Sequence, residues 1–155
     1  AHHGDGTEEI LADRPGVRFL SLFQWPLFPH RRMEPTPSNA VLSPLPAGAG
    51  GEEIRNVVEN VWLPEIDKFQ PDLMILSAGF DAHCEERIAQ LKAGEMDYAC
   101  VTRLLVEASF AYCEGRLVSV LEGGYELRSL ARSVFTHLQG LIRNPLPAET
   151  CKDPN

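Results

Sequence analysis

The chain has 155 residues, 44% hydrophobic and 23% charged, which is enough for one globular domain with a real core. Its formal net charge of −8 leaves no basic stripe to neutralise phosphates, which argues against a nucleic-acid partner. It contains no 18-residue apolar run and no basic-then-apolar leader, so a membrane span and a signal peptide are not expected, and the reading is cytoplasmic.

The opening, AHHGDGTEEI, starts inside a motif, and the chain reads as a fragment. His2-His3-Gly4-Asp5-Gly6 is a turn carrying adjacent imidazoles, and Thr7-Glu8-Glu9 offers a helix start with acids in its first turn. After the turn signal Arg14-Pro15-Gly16, the apolar run Val17–Leu22 predicts a strand. From Gln24 to Gly51 the chain reads as irregular, with prolines at Pro26, Pro29, Pro35, Pro37, Pro44 and Pro46. Long loops of this kind are usually functional rims. The Arg31-Arg32 pair within it reads as solvated loop charge.

Helical period begins at Glu52. Ile54, Val57, Val58, Val61 and Trp62 fall on one face and continue toward Ile66, with Pro64 expected to kink or restart the helix. Leu73–Ser77 is a short apolar run of the kind buried on both faces of a parallel sheet, and it ends in Ala78-Gly79-Phe80-Asp81-Ala82-His83. A second amphipathic stretch runs through Tyr98, Val101, Leu104, Leu105, Ala108 and Tyr112, stopping near Gly115. Arg116–Leu121 predicts a third buried strand, ending in Glu122-Gly123-Gly124-Tyr125. Leu127–Ile142 predicts the last helix, and Arg143–Asn155 reads as a tail. The cysteines Cys84, Cys100, Cys113 and Cys151 show no metal-type spacing and are expected to be free thiols.

Alternating strands and helices imply an α/β fold with parallel strands and right-handed crossovers. Ligands in such sheets bind beyond the carboxyl ends of the strands. The loops at that end carry His2, His3, Asp81, His83 and Tyr125, an imidazole and carboxylate set suited to a metal.

AHHGDGTEEI, SAGFDAH and VSVLEGGYEL, in that order, resemble the zinc-dependent histone deacetylase family, in its class II-like and bacterial deacetylase-like branch. The resemblance runs from Ala1 to about Arg143 and covers the carboxyl half of a family domain. It implies a three-layer α/β/α fold with a mostly parallel sheet (arginase/deacetylase-like). Residues 1–143 are then the carboxyl-terminal portion of the catalytic domain, and residues 144–155 a tail. By the resemblance, His2 and Asp81 are zinc ligands, with a further Asp expected one residue before Ala1. Tyr125 is the tyrosine that hydrogen-bonds the substrate carbonyl. Ser21 and Leu22 belong to a site for a structural monovalent cation such as potassium. Phe28, Ile88, Gly123 and Gly124 line the substrate channel. His83 is a rim or supporting residue, not a ligand.

The implied activity is hydrolysis of acetyl or other acyl amides of lysine in a protein or peptide, with metal-activated water attacking the carbonyl. Ile88 stands seven residues after Asp81, where a glutamate marks the polyamine-deacetylating branch; an apolar residue there favours lysine over a small acetylated amine. Phe28-Pro29 is followed by His30-Arg31-Arg32 and not by the family's glycine-rich turn, which leaves the rim and substrate preference open. Two further readings stand beside the first. One is a catalytically dead remnant that binds acyl-lysine or a protein partner; the other is a two-metal ureohydrolase-like enzyme, disfavoured because Gly4 stands where the second carboxylate of an Asp-x-His-x-Asp motif belongs.

Overall fold

The computed structural model describes residues 1–30 and 35–142. The readings made for Arg31, Arg32 and the tail lie outside them. In chain order the elements are α1 (Asp5–Leu11), β1 (Phe19–Gln24), β2 (Ala40–Leu45), α2 (Gly51–Val57), a π-helical turn (Val58–Trp62), α3 (Leu63–Phe69), β3 (Met74–Ala78), α4 (Glu95–Cys113), β4 (Leu117–Leu121) and α5 (Leu127–Ile142).

The strands form two parallel ladders, β1 with β2 and β3 with β4. The runs expected at Val17–Leu22, Leu73–Ser77 and Arg116–Leu121 are all strands, with ends displaced by one or two residues. β2 falls in the stretch read as irregular, which is corrected here. Pro44 sits within it, opposite Phe23. Proline gives no ladder donor and is confined to edge positions, and in the two-stranded β1–β2 ladder β2 has a free edge among the described residues. The proline content hid a strand that tolerates proline.

Strand β1 shows how the layers are built. Alternate side chains point to opposite faces. Phe19, Ser21 and Phe23 face His3, whose ring lies 6.1 Å from that of Phe19 and 4.6 Å from that of Phe23. His3 is in turn bonded to Glu8 of α1. Leu20 and Leu22 face the other way, onto two clusters formed with the helices. One cluster gathers Leu45, Ile54, Ala82, Leu91 and Ala93; the other gathers Val58, Ile66, Cys100, Leu104 and Leu105. Helical segments thus lie on both faces of β1, an α/β/α arrangement. In β3 and β4, Met74, Leu76 and Leu117 pack on the second cluster, while Ile75, Val118 and Val120 are exposed on the opposite face.

Pro64 neither stops nor visibly breaks the second helical stretch. It lies in the first turn of α3, and the turn before it opens to π geometry, with Leu63 N–H bonding Val58 O. The wider turn absorbs the residue that cannot donate. Helix α4 starts where Asp97 reaches back to the Gly94 N–H at 2.8 Å, and Arg55 of α2 bonds the same carboxylate at 2.7 Å. It ends in two left-handed residues, Glu114 (φ 54°) and Gly115 (φ 76°). The bounds of α5 agree with the periodicity. Cys84 and Cys113 are free, whereas Cys100 is disulfide-bonded, so the free-thiol expectation fails there. No helix of the described residues is long and apolar enough to cross a membrane.

Candidate metal and substrate site

The carboxyl ends of β1, β3 and β4 converge on Ala1 and His2. Gln24 N–H, at the end of β1, donates to Ala1 O at 2.8 Å. Phe80 N–H, in the loop after β3, donates to Gly123 O, in the loop after β4, also at 2.8 Å. Short parallel strands deliver these loops to one end of the sheet, as the strand-end rule requires.

At the meeting point His2 Nδ1 lies 2.8 Å from Asp81 Oδ2, and Ala1 N contacts Asp81 Oδ1. Asp81 is 3% exposed. Backbone crowds the carboxylate. A Cβ on Gly123 would stand 2.4 Å from Asp81 Oδ2, and one on Gly79 3.1 Å from Oδ1. Only a chain without side chains there can pass so close.

A cavity of about 620 Å³ opens over this pair, with His2, Asp81, Phe28, Ile88, Gly123 and Tyr125 among its lining residues. Phe28, Ile88 and Tyr125 are exposed at its mouth, Tyr125 by 62%. The His2 ring meets Phe28 edge-on at 6.2 Å. A cavity whose wall is mainly apolar, with an imidazole, a carboxylate and a phenol from His2, Asp81 and Tyr125 among its polar groups, suits a slender apolar chain ending in a polar group.

Gly124 is not at the lining. Its φ of 140° is a conformation glycine alone adopts readily, and a Cβ there would stand 2.7 Å from Leu130 Cδ1 and 3.2 Å from Phe80 Cβ. Ser21 is buried and its Oγ lies 2.9 Å from His3 Nδ1. The other side of that ring contacts Glu8, so His3 is engaged on both nitrogens. Leu22 packs against the first hydrophobic cluster. His83 is 2% exposed and lies away from the cavity. Its Nδ1 accepts from Glu85 N–H at 3.1 Å, which leaves the proton on Nε2, 3.5 Å from Glu95.

These donors are of the kind that the zinc expected from the resemblance would need. An imidazole and a carboxylate, converging in a pocket lined by no Lys or Arg among the described residues, are ligand types zinc takes. They supply part of a set, since no group of three His, Cys, Asp or Glu able to hold a metal occurs among the described residues.

Two residues near the site escaped sequence reading. Tyr98 lies on the cavity wall, and burial, reinforced by the Asp81 and Glu86 charges, raises its phenol pKa, so it keeps its proton. Glu86 is buried and its carboxylate holds the backbone of Tyr125. The Glu85-Glu86 pair resembles ordinary loop charge in sequence; its place in the same loop as Asp81 was the available signal.

The chain is similar to known proteins over most of its length. The histone deacetylase domain model matches residues 1–141. The chain is 37% identical over 133 residues to a probable deacetylase of Archaeoglobus fulgidus, covering 82% of this chain and 37% of that protein. It is 33% identical over 150 residues to the chloroplastic histone deacetylase 14 of Arabidopsis thaliana, covering 91% of this chain and 35% of the relative. The chain therefore spans little more than a third of the length of these relatives. The crystal structure of the HDA15 HD domain superposes with a TM-score of 0.82 at 28% identity, over 96% of this chain and 45% of that one. The fold is that of the arginase/deacetylase class, and the chain belongs to the histone deacetylase family.

Proposed function

We propose that residues 1–143 are the carboxyl-terminal portion of the catalytic domain of a zinc-dependent deacetylase that hydrolyses acyl amides of lysine side chains. The observation that carries the reading is the 2.8 Å approach of His2 Nδ1 to Asp81 Oδ2 beneath a cavity that Tyr125 also lines. In this reading His2 and Asp81 hold the metal together with a carboxylate from beyond Ala1. When bound, zinc supplies a Lewis acid for the amide carbonyl and lowers the pKa of water to about 7.

The chain's own residues do the rest. Phe28 and Ile88 at the mouth exclude water from the aliphatic part of a lysine side chain. Tyr125 donates its phenolic O–H to the oxygen that becomes negative as the carbonyl is attacked. Such a donor contributes on the order of 3–4 kcal/mol to transition-state stabilisation. Ser21 with Leu22 forms part of a structural potassium site on the His3 side of β1. Ile88 at the mouth favours lysine over a small polyamine, because it offers a secondary ammonium no counter-charge.

The test is zinc content together with hydrolysis of an acetyl-lysine peptide, for the wild type and Tyr125→Phe. Turnover should fall by about 10²–10³ in the variant with zinc unchanged. Equal turnover in the two proteins, or turnover that survives chelation, overturns the mechanism. A second reading is an acyl-lysine binder without turnover. Zinc-independent peptide binding with no hydrolysis by the wild type supports it.

A further inference from the structure

Tyr125 has the role just proposed but little to hold it there. Its side chain is 62% exposed, so packing does not place the phenol, and its position depends on its backbone. That backbone is gripped by Glu86. One carboxylate oxygen, Oε1, accepts from Tyr125 N–H at 2.7 Å and from Glu126 N–H at 2.9 Å. Glu86 is 9% exposed, so water competes weakly for it, and bonds to a carboxylate are about twice as strong as neutral ones.

The grip is anchored on a stiff base. Glu86 N–H donates to His83 O at 3.0 Å, Cys84 N–H donates to Ala93 O at 2.8 Å, and Ala93 N–H donates to Ala82 O at 3.0 Å. The loop carrying Asp81 and Glu86 is thereby tied to the segment leading into α4. On the far side the two amides open directly into α5, whose first N–H groups at Arg128 and Ser129 are taken by the Glu126 carboxylate. One acidic side chain caps the helix while the other fixes the approach to it.

We propose that Glu86 is a positioning residue for Tyr125: the loop that presents Asp81 also sets, through the Glu86 carboxylate, the backbone from which the phenol reaches over the site. This inference rests on the reading of Tyr125 as the carbonyl donor. It makes the distance between Asp81 and Tyr125 a property of the loop Gly79–Glu86 as well as of the β3–β4 pairing.

The experiment uses the full chain as wild type, Glu86→Ala, Glu86→Gln, Tyr125→Phe and the Glu86→Ala/Tyr125→Phe pair. Turnover of an acetyl-lysine peptide, zinc content and amide hydrogen exchange at Tyr125 and Glu126 are measured. Glu86→Ala should lower kcat by about 10–100-fold, as loss of an orienting partner does, with KM and zinc unchanged. It should add nothing further in the Tyr125→Phe background, because both changes remove the same donor. Losses that multiply in the double variant point to a merely structural role and overturn the proposal. Exchange decides the clamp even where the wild type shows no turnover, an outcome that removes the deacetylase reading alone. Exchange at both amides should be fastest in Glu86→Ala and intermediate in Glu86→Gln, whose neutral oxygen still accepts. Should the alanine variant fail to fold, the glutamine variant carries the same test, and exchange identical to wild type there overturns the clamp.

Discussion

His2 and Asp81 are 79 residues apart in the chain, yet His2 Nδ1 stands 2.8 Å from Asp81 Oδ2. Nothing local brings them together. Gln24 N–H holds Ala1 at the end of β1, and the β3 strand delivers Asp81 to the same place, so the pair is a product of strand order. Asp81→Asn keeps the shape and removes the charge. The expected outcome is a stably folded chain that retains no zinc after dialysis, against stoichiometric zinc in the wild type, read by elemental analysis. Equal zinc in both proteins removes Asp81 from the ligand set.

Gly123 offers an independent check on the same carboxylate. An alanine there places a methyl 2.4 Å from Asp81 Oδ2, closer than atoms can approach, so either the loop or the carboxylate must move. Gly123 O is also fixed by Phe80 N–H, which limits escape on the loop side. Overpacking of this kind costs about 1–3 kcal/mol. Gly123→Ala should lower the denaturant midpoint accordingly and weaken zinc retention. An unchanged midpoint with unchanged zinc shows that the two loops are looser than this contact implies.

The contrast between His2–Asp81 and β2 shows what the sequence exposes. GFDAH and GGY each keep site residues beside a glycine, because the backbone at Gly79 and Gly123 passes too close to Asp81 to carry a side chain. That requirement leaves a visible trace. The bounds of α5 are legible from the apolar period Leu127, Leu130, Ala131, Val134, Leu138 and Leu141, but its buried face is not, because the helix buries Ser129, Ser133, His137 and Gly140 and leaves Leu127 and Leu138 exposed. Strand β2 left no trace because Pro44 is harmless at an edge and its ladder partner lies in another segment. Glu86 was invisible for a related reason. Its partners are main-chain amides of Tyr125 and Glu126, and backbone groups carry no sequence signature.

Magnitudes separate the surface ion pairs from the site. Arg132 contacts Glu95 and lies 2.5 Å from Glu85, and all three side chains are at least one-third exposed. The Arg132 guanidinium holds the Glu95 carboxyl down to about 2, from an ordinary value of 4.5. A depressed carboxylate adds stability above pH 4.5 that is lost as the pH falls toward 2. Solvent screening keeps that contribution within about 1 kcal/mol. Arg132→Gln should therefore cost no more than about 1 kcal/mol at neutral pH, and less in molar salt. The difference from wild type should close below pH 2 to 3. A larger loss, insensitive to salt, shows that the cluster works as a buried network.

His137 is the opposite case, a buried base between two hydroxyls. Thr102 Oγ1 lies 2.6 Å from its Nδ1, and Ser119 Oγ lies 2.9 Å from its Nε2. Thr102 donates its own proton to Tyr98 O at 2.6 Å, so its oxygen can only accept from His137. The ring therefore carries its proton on Nδ1, and Nε2 accepts from Ser119. Burial pushes the pKa below the ordinary 6.5, consistent with a neutral ring. The sign follows. Below pH 6.5 the unfolded chain binds a proton at this histidine that the folded chain does not, so stability is full above 6.5 and falls as the pH drops toward the folded value. His137→Gln, which presents an amide in place of the ring, should lose stability at neutral pH and show a flatter pH dependence between 6.5 and 5. Urea midpoints measured across that range for both proteins decide it, and parallel curves would show that a second proton acceptor sets the slope.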